Sequence, residues 1–341
     1  MFGLDNDVTC ALLGGGLLAS ATSFNMLMTG RITGMSSLLS AVMTVKPDFR
    51  WKLTTVTAII STALMSYNQL GRAATVTLPL LGERLSLQLF DSSPLPATTV
   101  LIGGMLVGFG VRLGSGCTSG HGLCGIPRLS KRSVAAVSVF MSVGMATATL
   151  LDKHPLIPKV DLIESLGAAL SIHMPKYTPA ILSILNLFTL FIWAQKPKEI
   201  KEFVNAYVTG ILFAAGLMLS GMTRVSKILS FLTVNKNWDP ALAFVMASGV
   251  GINLLTFNLI FKRSQPLLTK TFSIPPKGEL DRRLILGAMI FGLGWGVSGT
   301  CVGPAMAISC LADNGLLSLG SIALGMTLFE LSQGNLKFKR S

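Results

Sequence analysis

The chain has 341 residues, of which 50% are hydrophobic and only 13% charged. A soluble domain carries about 25% charged residues, so composition excludes an ordinary water-soluble fold. The formal net charge of +13 raises the question of nucleic acid. The 28 basic residues, however, sit in short segments between apolar runs with no aromatic-interleaved basic stripe, which is the placement of cytoplasmic loops in a membrane protein.

Apolar runs of about 18 or more residues recur along the chain, and about 20 cross a bilayer as a helix. The first, 8–28, follows Asp5 and Asp7 and not a basic stretch, so it reads as a spanning helix and not as a cleavable signal. The next fall at 52–70, 98–114, 132–152, 176–195, 204–222, 239–261, 282–298 and 315–333. Between them lie four apolar pieces too short to span, at 33–45, 122–130, 224–233 and 304–313; pieces of that length are commonly re-entrant or broken helices. The expected fold is an all-α polytopic membrane protein with nine transmembrane helices and four short re-entrant ones.

The chain also repeats itself. GFGVRLGSGCTSGHG at 108–122 parallels GLGWGVSGTCVGPAM at 292–306, and GRITGMSSLLS at 30–40 parallels TRVSKILSFL at 223–232, with Arg31 opposite Arg224. Each repeat holds four spanning helices and two short ones, and the single helix at 176–195 separates them. An odd crossing between the repeats inserts the second upside down, which predicts an inverted-repeat architecture with a site near the midplane. The expected division is 1–153 for the first repeat, 154–203 for the connection and 204–341 for the second repeat. On that topology one side receives 19 Lys and Arg residues and the other 8, with Arg112 left near a helix end. The richer side is cytoplasmic; the N-terminus is then outside and the C-terminus inside, in a plasma or inner membrane.

Chemistry concentrates in two Gly-rich turns. The first reads Gly114-Ser115-Gly116-Cys117-Thr118-Ser119-Gly120-His121-Gly122. Its glycines let the backbone turn sharply and expose N–H groups, and a helix starting just after it favours an anion. A cysteine there has a lowered pKa or donates a weak S–H bond; the alternative is a buried, inert cysteine in a tight turn. The partner turn is Ser298-Gly299-Thr300-Cys301-Val302-Gly303-Pro304, with Pro304 suited to a first helical turn.

Other candidates carry two readings each. Cys124 contacts solute or packs, and Cys10 and Cys310 read as packing residues. His121 donates to an anion or bonds a loop carbonyl, whereas His154 and His173 read as surface residues. Arg31, Arg112 and Arg224 lie near helix ends, where they snorkel and supply an electrostatic funnel or a structural tie. The spacing of His and Cys supplies no metal-ligand set, no cofactor is expected, and no nucleotide-binding motif is present.

GSGCTSGHGLCGIPRLSKRS at 114–133 and GLGWGVSGTCVGPAMA at 292–307 resemble the two signatures of the YeeE/YedE sulfur-transport family of membrane proteins. GRITGMSS at 30–37, GMTRVSKILSFL at 221–232 and WDPALAFVM at 238–246 match its other elements, so the resemblance runs in order over about 12–333. It looks like a fusion of two half-proteins that occur separately in some bacteria. The resemblance implies uptake of thiosulfate, sulfide or a persulfide-like species through a central constriction where Cys117 and Cys301 contact the solute. The substrate-binding set expected around them is Gly116, Thr118, Ser119, Gly120, His121, Gly299, Thr300, Gly303, Cys124, Arg31 and Thr33. Long members often carry a cysteine where this chain has Ile32-Thr33-Gly34, and Asp-Pro where it has Thr223-Arg224-Val225. Expected partners are the solute, the lipid bilayer and a cytoplasmic sulfur-carrier protein, with no nucleic acid. An intramembrane sulfurtransferase or disulfide relay using the same cysteines is the alternative from a different class.

Overall fold

A computed structural model describes residues 6–44, 48–71, 73–78, 83–91, 95–153, 157–194, 199–274 and 280–333. His154 and the basic C-terminal Lys337, Lys339 and Arg340 lie outside these residues, as do the side chains of 170–179, His173 among them. The first half contains α1 (Asn6–Thr29), α2 (Met35–Thr44), α3 (Phe49–Leu70), a hairpin of β1 (Ala73–Leu78) and β2 (Glu83–Gln88), α4 (Ala97–Leu113), a short π-turn (Thr118–Leu123) and α5 (Lys131–Lys153). The long α6 (Asp161–Ala194) follows. The second half contains α7 (Ile200–Leu219), α8 (Val225–Leu232), α9 (Ala241–Ile260), α10 (Arg282–Ser298), α11 (Val302–Ile308) and α12 (Gly315–Ser332).

A helix therefore occupies each of the nine long apolar runs, and a short one lies in or beside each of the four short pieces. Among the described residues six segments are long and apolar enough to cross a membrane by length and composition: Asn6–Thr29, Lys131–Asp152, Ile200–Leu219, Ala241–Ile260, Arg282–Ile308 and Gly315–Ser332. Ala97–Leu113 is apolar but has only 17 residues. The hairpin is an addition to the expected all-helical fold. Its strands pair antiparallel with Thr75 opposite Ser86 and Val76 opposite Leu85, and the alternation Thr-Val-Thr-Leu carries the period of two that a strand requires.

Packing is between the halves. α1 lies on α9 as α3 lies on α7, and α4 lies on α12 as α5 lies on α10; α1 also packs on α7, and α4 on α10. The last two pairs run antiparallel. Gly14 near the start of α1 meets Ser220 just past the end of α7, while Asn25 near the end of α1 accepts a 2.9 Å bond from Asn205 near the start of α7. Likewise Gly103 of α4 lies against Ser298 and Gly110 against Phe291. These crossings need small residues: a Cβ on Gly14 would sit 2.7 Å from the Ser220 Cα, so only hydrogen fits there.

α6 packs on α3, α4 and α12 and is tied in by Trp193 Nε1 donating to Thr54 Oγ1 at 2.8 Å and Asn186 Nδ2 donating to Ser61 Oγ at 3.0 Å. Its outer face exposes Ile184, Leu187, Phe188 and Phe191, an apolar strip that suits lipid.

Candidate functional site

The two cysteine turns are built alike. α4 ends at Gly114, Ser115 takes a left-handed conformation (φ 57°), and Cys117 is extended (φ −130°, ψ −174°) as it enters the π-turn. α10 ends at Gly299, itself left-handed (φ 60°), and Cys301 is extended (φ −130°, ψ 179°) as it enters α11. The left-handed residue stands two before the cysteine in each case. It stops the long helix and turns the chain back; the cysteine then occupies the N-cap of the short helix. The first short helix is a π-turn: Cys124 N–H donates to Ser119 O at 3.1 Å and Ile126 N–H to His121 O at 2.9 Å, both five residues back.

Both thiols are buried, Cys117 at 2% exposure and Cys301 at 3%. Cys117 Sγ accepts from the backbone N–H of Ser36 at 3.5 Å and lies 3.2 Å from Ser119 Oγ. Ser119 Oγ in turn accepts from Met35 N–H at 3.1 Å. The first N–H groups of α2 therefore point at the Cys117 turn, where the positive end of a helix favours negative charge. From the other half, Cys301 Sγ lies 3.5 Å from Thr118 Oγ1. Thr118, Ser119, Cys301 and Gly303 share a small cavity of about 30 Å³ with Leu18, Met35 and Phe213. It is the smallest of three cavities that α1 borders, so the centre is a narrow, mostly apolar neck.

Larger cavities lie on either side. Toward the N-terminal end of α1, the end expected outside, an outer cavity of about 190 Å³ is bounded by Asp7, Cys10, Gln88, Arg224 and Lys227. Toward the C-terminal end of α1, the end expected inside, an inner cavity of about 590 Å³ is bounded by Arg31, Lys52, Arg128, Arg132, Gly116, Gly120 and His121, among others. The three are stacked along α1: Cys10 borders the outer one, Leu18 the neck and Thr29 the inner one. At 1.5 Å per residue these levels are separated by about 12 and 17 Å.

The expected site residues divide accordingly. Cys117, Cys301, Thr118, Ser119 and Gly303 meet at the neck. Gly116, Gly120, His121 and Arg31 border the inner cavity. The Gly116 Cα lies so close to the His121 imidazole that a side chain would collide with it. His121 reaches Ser133 Oγ at 3.2 Å and Gly114 O at 3.4 Å through its two ring nitrogens. Arg31 pairs with Glu202 at 2.8 Å and lies over the Trp51 ring, 5.4 Å from its centroid.

Four others line none of the three cavities, and neither does Cys117 itself, which adjoins the neck through Thr118 and Ser119. Gly299 ends α10 against Val225 and Leu229, and Thr300 is 1% exposed beneath it. Cys124 is fully buried, its carbonyl accepting from Arg128 Nε at 3.0 Å. Thr33 is also fully buried, and its hydroxyl accepts from Asn25 Nδ2 at 2.9 Å. Arg112 is paired with Glu330 and Arg224 donates to Gln88 at 3.1 Å. Cys10, expected only to pack, borders the outer cavity as well.

Sequence reasoning missed the polar clamps behind the neck. Asn253 of α9 donates to Leu123 O at 2.7 Å and to Thr22 Oγ1 at 2.8 Å, and accepts from Ser23 Oγ at 2.7 Å. It pins the end of the π-turn between α1 and α9. The signal was present, since an asparagine inside an apolar run is costly unless it is bonded.

Residues 7–147 match the family described as sulphur transport, and residues 201–341 match a family of unknown function (DUF6691). A probable transporter of Xylella fastidiosa strain Temecula1 is 38% identical over 131 residues, 38% of this chain and 88% of that protein. Its counterpart from strain 9a5c is also 38% identical, with 90% of its length covered. A second probable transporter of strain Temecula1 is 37% identical over 148 residues, 42% of this chain and 94% of that protein. No solved structure matches the chain. With its paired cysteine turns, its helices long enough to span a bilayer and these likenesses together, the chain belongs to the sulphur-transport family of membrane proteins, the YeeE/YedE-like transporters.

Proposed function

We propose that the protein conducts a small sulfur-containing solute, with thiosulfate favoured over sulfide or a persulfide-like species, through the narrow neck between the two cysteine turns. The observation that carries this reading is the stack of cavities: two chambers bordered by charged residues and separated by a neck of about 30 Å³ with a buried thiol at its edge and another one residue from it. An anion entering the neck loses water, a cost that must be met by other donors. Met35 N–H, Ser36 N–H and the hydroxyls of Thr118 and Ser119 stand there to replace it. The Cys301 thiol gives a soft, polarisable wall suited to a terminal sulfur atom, and Cys117 stands directly behind Thr118.

The architecture we infer is an inverted repeat, α1 to α5 against α7 to α12, with nine crossings, a cytoplasmic C-terminus and residence in a plasma or inner membrane. Repeat mates that pack antiparallel, as α1 with α7 and α4 with α10 do, support inversion: a two-fold axis along the bilayer normal would leave them parallel. Polar ties between distant loops agree with this topology. Arg31–Glu202 and Arg132–Asp281 join segments assigned to the inner side, and Lys227–Asp7 joins segments assigned to the outer side. The test is uptake by proteoliposomes holding the purified chain, offered labelled thiosulfate, sulfide, sulfite and sulfate. Saturable thiosulfate uptake in excess of sulfate uptake is expected; equal rates for all four, or none, would refute the assignment.

A further inference from the structure

The inner cavity has a charge arrangement that the neck does not explain. Four cations border it, Arg31, Lys52, Arg128 and Arg132, and Asp48 is the one carboxylate in its lining among the described residues. Three of the four are neutralised: Arg31 by Glu202 at 2.8 Å, Lys52 by Asp48 at 2.7 Å and Arg132 by Asp281 at 3.1 Å. Arg128 alone has no carboxylate within 4.0 Å among the described residues; its Nε donates to Cys124 O at 3.0 Å, which fixes the side chain and leaves the two terminal nitrogens of the fork. Ser36, Ser37, Ser130 and Ser133 border the same space.

We propose that the inner cavity is a second solute station, specific for a tetrahedral sulfur oxyanion, with Arg128 as its anchoring residue. An anchored guanidinium with no counter-ion among the described residues, in a serine-bordered chamber, is matched by a sulfonate group, and its planar fork meets two oxygens at once. The neck and the chamber then read different ends of the same molecule in turn: the thiols take the terminal sulfur of thiosulfate, and Arg128 takes two of its three oxygens. Sulfide, which has no oxygens, gains nothing from Arg128. The choice of thiosulfate as cargo rests on the transport reading above, whereas the oxyanion site can be tested apart from it.

The probe is inorganic sulfate, which has the oxygens and lacks the terminal sulfur, in equilibrium binding to the full-length protein in lipid nanodiscs. One saturable site is expected. Arg128→Gln should weaken it by about tenfold or more, the range for losing a charge-assisted hydrogen bond. Arg128→Lys should fall between, keeping the charge and losing the fork. Lys52→Gln, whose charge is already paired, should change the affinity by less than about threefold. Absence of saturable sulfate binding up to about 10 mM, or equal affinity in wild type and Arg128→Lys, would overturn the station. So would a loss in Lys52→Gln as large as in Arg128→Gln, because an undirected field would then suffice. If Arg128→Gln does not fold, the wild-type, Arg128→Lys and Lys52→Gln affinities still decide. Thiosulfate uptake is measured on the same preparations: sulfate binding without uptake sinks the transport reading alone, and uptake without Arg128-dependent sulfate binding sinks the station alone.

Discussion

At the neck the decisive groups are two thiols in the same backbone conformation, and their environments differ. Cys117 is met by the Ser36 N–H and the Ser119 hydroxyl, Cys301 by the Thr118 hydroxyl. Serine keeps the size and can hold these hydrogen bonds, yet removes the polarisable sulfur. Cys117→Ser and Cys301→Ser should each fold and insert while thiosulfate uptake falls at least about tenfold, roughly 1.4 kcal/mol in the barrier; wild-type rates in both would leave recognition to the N–H groups alone. Cys310→Ser, remote from the cavities described, should transport normally. The cysteines and their glycine turns were legible in the sequence because a Gly-Cys turn repeated at matching places is rare by composition. Thr33 was not legible as a structural residue: nothing in Gly-Arg-Ile-Thr-Gly says that its hydroxyl turns away to Asn25. Thr33→Cys should therefore cost stability, about 1 kcal/mol for the bond that the thiol replaces poorly, and should not raise thiosulfate flux; a gain in flux would mean that the residue reaches the pathway.

Among the elements, the four short helices do different work although they pair by sequence. The N-terminus of α2 points its N–H groups at Cys117 and Ser119. The N-terminus of α8 is filled by the chain itself: the Asp91 carboxylate accepts from Val225 N–H at 3.1 Å and Ser226 N–H at 2.9 Å. Beside it, Thr223 donates to Leu89 O and Arg224 to Gln88. The segment leaving the hairpin thus clamps α8 and takes the anion position that α2 keeps for the neck. Asp91→Ala removes a cap shared by two donors and should destabilise the purified protein by about 1 kcal/mol, read as a lower thermal midpoint; an unchanged midpoint would show that water replaces the carboxylate at no cost. The long helices were legible because hydropathy reports burial in lipid directly. The hairpin escaped because a window sized for a spanning helix averages out a period of two over six residues. The α8 clamp escaped for a different reason, since its partners stand 134 and 135 residues apart and sequence pattern does not reach that far.

For the whole molecule, the two halves visible in the sequence are not two bundles. α1 rests on α9, α3 on α7, α4 on α12 and α5 on α10, so nearly every long helix finds its main partner in the opposite half. The Asn253 clamp is a case in point: an α9 side chain holds the end of the first-half π-turn on α1. The proposed inversion accounts for this interlocking, because mates of opposite direction would pack antiparallel, and small residues such as Gly14 and Gly110 let the helices approach to backbone contact. It sets the outcome of cutting the chain between α6 and α7. Either piece alone would expose the glycine-lined faces of α1 and α4, or of α7 and α10, and would lack one of the two cysteine turns. Each piece expressed alone should therefore be degraded or aggregate and should take up no thiosulfate. Co-expressed, the pieces should copurify and transport within about tenfold of the intact chain, since the connection at 195–198 has only to keep the halves at high effective concentration, and two-dimensional confinement in the bilayer does the same. Reporters on the two ends of the intact chain should read outside for the N-terminus and cytoplasm for the C-terminus, as the 19-to-8 charge bias requires. A single half that transports by itself would show that the neck does not need both cysteine turns. Both ends on one side of the membrane would remove the inversion on which the interlocking depends.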